Sequence, residues 1–357
     1  MNGKVSRITS LYQKKNLDGL LVTNPSNITY LTDYLSRDSW LLLSKKGNYY
    51  LTDSRYTAEA NKYLSSRDSD FFVYKKTAVP LNDCLKELCQ QLKLKNLGFE
   101  GNNLTYAQYS KLSESLGKTV NLVHTHNLVE DLRLIKSSAE IEKIRIATKI
   151  TVSALNFIRD FIRPGKSEIE ISGELERFIR YNGGMGSAFD IIVASGPNSS
   201  YPHHITSSRK IAKNELVLID IGAEFQGYKS DLTRVFFSGK ISVLAQRVYA
   251  IVLKAQQQAI SRIRPQALTT VIDQAARQVI AKNGFAKAFG HNLGHGVGLD
   301  VHEAPGISGK TATILKKNMV FTIEPGIYLP GKFGVRIEDV VLVAQKGVEV
   351  LSGSLHK

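Results

Sequence analysis

The sequence has two cysteines in 357 residues, too few for a disulfide framework. Both lie in Leu81-Asn82-Asp83-Cys84-Leu85-Lys86-Glu87-Leu88-Cys89-Gln90-Gln91-Leu92, where Leu81, Cys84, Leu85, Leu88, Cys89 and Leu92 recur at helical spacing. They read as small buried hydrophobes in a reducing compartment. Long apolar runs are missing as well. The longest, such as Leu216-Val217-Leu218-Ile219, are strand-sized, far short of the roughly 18 residues that a membrane span needs. The segment after Met1 soon turns polar and has no signal-peptide core. No membrane partner and a cytoplasmic location are therefore expected. Nor is there a basic tract. The 47 Lys+Arg against 32 Asp+Glu give +15, but the lysines come singly or in pairs, such as Lys14-Lys15 and Lys75-Lys76. Residues 1–133 hold 18 basic and 13 acidic groups, the remainder 29 and 19. Such a surface attracts polyanions at low salt but reads no base sequence, so no specific nucleic-acid partner is expected.

What is present is an ordinary globular balance, 43% apolar and 22% charged, at a length that suits two domains. The first third alternates helix and strand: a helix over about 5–15, then strands near 19–23, 40–43, 49–52, 70–74 and 96–100. It carries no nucleotide-binding glycine fingerprint and no catalytic cluster. The character changes near residue 133. Ser138 before Glu140-Ile141-Glu142 suggests a helix start and the pattern runs to about Arg163, where Pro164-Gly165 stops it. A second helix is expected over about 168–182 and a long helical interval from about 243 to 283, with strands and loops elsewhere. The fold class is α/β (α+β overall), with domains at 1–133 and 134–357.

The chemistry lies in the second domain. Leu216-Val217-Leu218-Ile219-Asp220 is a buried strand that ends on a carboxylate, and a return strand over 228–237 brings Asp231 beside it. Neighbouring buried carboxylates repel unless a positive charge lies between them. Met319-Val320-Phe321-Thr322-Ile323-Glu324 repeats the device, as does Gly334-Val335-Arg336-Ile337-Glu338, where Arg336 and Glu338 stand two apart on one strand face. Residues 291–303 hold three of the eight histidines, His291, His295 and His302. Glycines 294, 296 and 298 exclude a helical zinc-protease motif there and favour a strand or loop that approaches a ligand closely. Asp220, Asp231, Glu324 and Glu338 with one histidine form an oxygen-rich set that two divalent cations neutralise. Such a set suits manganese, cobalt or iron, with zinc also compatible. A water between two such ions deprotonates near neutral pH, which points to a dinuclear hydrolase.

These blocks resemble the pita-bread metallopeptidases of the prolidase and aminopeptidase P branch. The match includes Asp220 with Gly227-Tyr228-Lys229-Ser230-Asp231-Leu232-Thr233-Arg234, the run His291 to Pro305, Glu324-Pro325-Gly326-Ile327-Tyr328, and Gly334-Val335-Arg336-Ile337-Glu338-Asp339. Leu132-Arg133-Leu134-Ile135-Lys136-Ser137 resembles the family's interdomain joint, and the first domain resembles the creatinase-like domain. The resemblance implies a pita-bread catalytic domain cleaving the bond before proline, either as an Xaa-Pro aminopeptidase or as an Xaa-Pro dipeptidase, through a hydroxide bridging two metals. Asp220 would bind one ion, His295 and Glu324 the other, and Asp231 and Glu338 both. Glu324 would shuttle the proton, His203 and His302 would orient substrate and stabilise the oxyanion, and Arg336 would hold the acids. Phe189, His291 and Tyr328 would wall the proline ring. Proline-containing peptides are the implied partners and a homodimer the implied assembly. Two positions depart from the family pattern, Asn292 after the first histidine and His204 where a small residue is usual; of the adjacent pair, His203 is the one expected to face the site. The alternatives are an inactive binding module on this fold and a pita-bread aminopeptidase without proline specificity.

Overall fold

A computed structural model describes residues 3–65, 71–74, 79–355 and 357. Lys75, Lys76 and Asp70 lie outside the described residues. The chain divides into two compact units, Met1–Arg133 and Leu134–Lys357.

In the first unit, six strands form one mixed sheet in the order Phe71–Tyr74, Gly47–Thr52, Ser39–Ser44, Gly19–Val22, Asn96–Glu100, Asn121–Thr125. Gly19–Val22 runs antiparallel to Ser39–Ser44 and parallel to Asn96–Glu100, and all four of its residues are buried. A strand covered on both faces reads as a continuous apolar run, as GLLV does. Helix Leu81–Leu92 packs its stripe of Cys84, Leu85, Leu88, Cys89 and Leu92 with Leu21, Leu42 and Leu97. Neither cysteine is in a disulfide and both are buried, and burial pushes the Cys89 thiol up to about 12, leaving it unreactive.

In the second unit, helix Ser138–Ile158 opens on a reciprocal cap between Ser137 and Glu140 and ends in a single tight turn, Arg159–Phe161. Helix Glu168–Tyr181 opens on the same device, Ser167 with Glu170. The long helical interval is two helices, Val243–Ile260 and Thr269–Lys282. Pro265 lies in the break, where its ring cannot continue a helix. These helices bury Val248, Val252, Ala255, Ile272 and Ala276 in one core with Leu216, Leu218, Phe321, Ile323 and Val341. Each large side chain so buried contributes about 1.5–3 kcal/mol. The apolar strands are thereby fixed, and the polar residues at their ends are fixed with them.

Two expectations about those ends are corrected. The return strand over 228–237 is two strands: Tyr228–Lys229 pairs with Ala223–Phe225, whereas Leu232–Phe237 pairs with Leu216–Ile221. The chain changes sheets at Ser230 and Asp231, so Asp231 lies in the break rather than on a strand. Arg336 and Glu338 do not share a strand either, because Phe333–Arg336 ends before Glu338 and Asp339–Val343 begins after it.

Candidate active site

Five side chains converge where these ends meet. Asp220 leaves strand Leu216–Ile221 opposite Thr233. Asp231 occupies the sheet-switching break and is 5% exposed. Glu324 follows strand Val320–Ile323, its backbone N–H bonded to Leu293 O at 2.8 Å. Glu338 is 1% exposed, and its N–H bonds to Thr233 O at 3.2 Å. His295 sits in the short strand Gly294–Gly296, which pairs with Val320–Ile323. Gly294 permits that approach, since a Cβ there would stand 1.9 Å from Thr322 O.

The ligand atoms fall into overlapping groups within 4.8 Å: Asp220, Asp231 and Glu338; His295, Glu324 and Glu338; Asp231, His295 and His302. Asp231, Glu338 and His295 each belong to two groups. Burial, reinforced by the charges of Glu338, Asp220 and Glu324, pushes the Asp231 carboxyl well above its ordinary range. Burial and the charges of Glu324 and Asp220 do the same to Glu338. For Glu324 burial opposes ionisation, but the hydrogen bond and charge of His295 prevail and hold it low.

The donor set fits divalent cations. Asp220 Oδ1 and Asp231 Oδ1 are buried without a hydrogen-bond partner, which is costly for a carboxylate unless a cation meets it. His295 Nδ1 lies 3.1 Å from Gly296 O and donates to it. Its Nε2 then faces Glu324 Oε1 at 3.2 Å and Asp231 Oδ2 at 3.6 Å, where it donates when it carries a proton. Without a proton or a metal on Nε2, those contacts are repulsive.

Around the acids stands a layer of positioning groups. Arg336, 3% exposed, donates from Nη2 to Asp220 Oδ2 at 2.6 Å, from Nε to Thr233 Oγ1 at 3.0 Å and from Nη1 to Tyr328 OH at 2.8 Å. Thr233 Oγ1 donates to Glu338 Oε2 at 2.7 Å, so the arginine and the glutamate meet through this hydroxyl. Thr322 Oγ1 accepts from His295 N and donates to Glu324 Oε1 at 3.1 Å in each case. Sequence reading missed both threonines, although each is a lone hydroxyl next to or inside an apolar run. It also missed the buried pair of Lys136 Nζ with Glu303 Oε1 at 2.7 Å.

A cavity of about 630 Å³ opens on the cluster, and Phe189, His203, His291 and His302 line it. The rings of His302 and His295 are 4.3 Å apart, and burial together with the His295 charge lowers the His302 pKa. His204 does not line this cavity; its Nε2 lies 2.9 Å from the buried Glu168 Oε2. Tyr328 is placed differently from the expected proline wall. It is 7% exposed, does not line the cavity, and stands behind His291, with its OH 3.0 Å from His291 Nε2. Burial brings the Tyr328 hydroxyl up to about 12, so it remains protonated and donates. His291 Nδ1 donates to Asn292 O at 2.8 Å. One direction of hydrogen bonding therefore runs from Arg336 through Tyr328 to His291 Nε2. Burial keeps His291 below its usual pKa, and hence neutral, in accord with that direction.

Residues 142–345 match metallopeptidase family M24, and residues 4–135 match the Creatinase/Prolidase N-terminal domain. The chain belongs to family M24. A creatinase-type N-terminal domain thus precedes an M24 catalytic domain, and the family implies divalent metals. An uncharacterized peptidase of Bacillus subtilis, YqhT, is 36% identical over 351 residues, 98% of each chain. The solved Xaa-Pro dipeptidase from Bacillus anthracis is similar at 38% identity and TM-score 0.93, covering 99% of this chain and 98% of that one. The X-Pro aminopeptidase from Thermotoga maritima is similar at 35% identity and TM-score 0.90, covering 98% and 97%. No described helix is long and apolar enough to cross a membrane.

Proposed function

We propose that this M24 metallopeptidase cleaves the peptide bond between an N-terminal residue and proline. The supporting observation is the convergence of Asp220, Asp231, Glu324, Glu338 and His295, with unpartnered carboxylate oxygens, on a cavity walled by Phe189 and His291. Two similar solved proteins, an Xaa-Pro dipeptidase and an X-Pro aminopeptidase, point to the same bond.

Asp220 would hold one divalent cation, His295 and Glu324 a second, and Asp231 and Glu338 both. Manganese is proposed first, with cobalt, zinc and iron as the other candidates. When bound, such a pair lowers the pKa of water and polarises the scissile carbonyl. The chain's own groups supply the rest. Glu324 Oε1 accepts the proton of the attacking water and delivers it to the proline nitrogen, which has no hydrogen in the substrate and needs one to leave. His203 and His302 donate hydrogen bonds to the oxygen of the former carbonyl as negative charge develops there. Arg336 keeps Asp220 and, through Thr233, Glu338 in place. Phe189 and His291 flank the proline ring, with Tyr328 behind His291.

The test is hydrolysis of Ala-Pro and of a longer Xaa-Pro-Xaa peptide by protein stripped with chelator and reloaded with manganese, cobalt or zinc, with bound metal counted. Cleavage before proline with two ions per chain supports the reading. Cleavage of neither peptide with any metal sinks it. The homodimer and the cytoplasmic location are proposed with this reading, and light scattering and cell fractionation test them.

A further inference from the structure

A second cavity, of about 600 Å³, adjoins the one holding the acids, and Asp190, Ile192 and His203 line both. Ile169 and Glu176 come to its wall from helix Glu168–Tyr181, and Ile205 from the loop beyond His204. Ile169 is 59% exposed and Ile205 87%, so two large apolar side chains border an open space beside the acids. Among the described residues lining the two cavities there is no lysine, and the one arginine is Arg336. Its donors are committed to Asp220, Thr233, Tyr328 and Pro202 O.

A dipeptide ending in proline carries a carboxylate directly on the ring's α-carbon. With the ring against Phe189, that charge would lie next to the exposed carboxylate of Asp190, and among the described lining residues no lysine and no uncommitted arginine meets it, which is unfavourable. A longer peptide has a neutral amide at that point. Upstream of proline the substrate has a single residue whose ammonium is drawn to the acids. A chain continuing past Phe189 and Asp190 would meet the second cavity, which shares Asp190 with the first. We propose that this cavity binds the residues following proline, so that the preferred substrates are peptides of three or more residues with an apolar side chain after proline, resting against Ile169 and Ile205. The inference rests on the Xaa-Pro reading above and adds the length and downstream chemistry of the substrate.

The experiment compares kcat/KM for Ala-Pro and Ala-Pro-Leu-Ala in the manganese-loaded protein and in I205D, I169D and I205L, with folding checked by circular dichroism. A single apolar contact discriminates by about 10–200-fold. The tetrapeptide is therefore expected to exceed the dipeptide by at least about tenfold, the ratio to fall about tenfold in I205D or I169D, and I205L to retain it. Preference for the dipeptide, or a ratio unmoved by both aspartates, overturns the downstream cavity while leaving the Xaa-Pro reading intact. If neither peptide is cut, both fall together.

Discussion

Each unit of this chain buries carboxylates, in two different ways. In the first unit Glu100, 7% exposed, accepts from Thr23 N at 2.6 Å, Asn24 N at 2.7 Å and Asn27 Nδ2 at 2.6 Å. Its oxygens are saturated, and it ties the end of its strand to the start of helix Pro25–Thr32. In the second unit Asp231 and Glu338 are as deeply buried but face other acids, and an oxygen of Asp231 has no donor. The contrast recurs between neighbours in sequence. Asp339 accepts from Arg234 at 2.7 Å, forms an ion pair with Lys357 and, against the effect of burial, is held low by these two cations, whereas Glu338 beside it faces the cluster. Burial of an acid therefore does not mark a site. Unmet charge does.

The sharpest way to break this comparison is to remove members of the unmet set. D231A and H295A should lose turnover by about a thousandfold, since the charge stabilisation lost is several kcal/mol, while the chain stays folded. Steady-state kinetics, metal content and circular dichroism on each variant check this. Retention of more than a few per cent activity by both, with metal loss verified, contradicts the two-metal reading.

Next in size is a change of sign in stability. E100Q places an amide NH₂ among donors and should cost about 1–3 kcal/mol of the first unit's stability. D231N in chelator-treated protein should instead stabilise the second unit, because a desolvated charge facing three acids is removed. Restoring metal should reverse the order, since ions that bind only the folded state stabilise the parent more. Urea unfolding with and without chelator measures all four arms. If D231N destabilises the stripped protein as much as E100Q does, the two kinds of buried acid are not different in kind.

Much of the second unit was legible because acids ending apolar runs break the strand pattern, and four such breaks with a glycine-spaced histidine run are hard to mistake. The positions of Asp231 and Glu338 were not legible as drawn. Alternation along a strand places neighbours on one sheet, and nothing local to Ser230-Asp231 or Ile337-Glu338 signals that the chain changes partners there. Tyr328 was misplaced for a related reason: an aromatic beside an acid reads as a wall, but only packing decides which of two adjacent rings, His291 or Tyr328, is in front. In the first unit five of the six strands and the cysteine helix were legible from period alone, whereas Asn121–Thr125 was not read. Glu100 was not singled out, because its donors come from residues 23 to 27, far away in sequence.

A smaller effect separates the saturated acids by pH. Glu168 accepts from Ser195 N, Ser195 Oγ, Asn198 Nδ2, Ser207 N and Ser207 Oγ, and also contacts His204. Burial alone would raise its pKa, but these donors bring it down to about 2. Because the folded value lies below the unfolded one, its stabilisation is fully present above about pH 4.5 and is lost as pH falls toward 2. E168Q should therefore flatten the acid limb of stability between pH 5 and pH 3, read from urea midpoints. An unchanged slope would show that the six contacts do not favour the ionised form.

The smallest expected effect tests the layer behind the cavity. Tyr328 OH passes a hydrogen bond from Arg336 to His291 Nε2, and Y328F deletes that oxygen while keeping the ring. His291 loses the group that orients it, and a single hydrogen bond of this kind is worth roughly threefold to tenfold. Because Tyr328 does not line the cavity, the loss should fall mainly in KM for proline peptides, with kcat and metal content kept. If kcat fell instead, the oxygen would be acting on Asp220 through Arg336 rather than on the proline wall. The choice of parameter thus reports which end of the Arg336–Tyr328–His291 chain matters to the reaction.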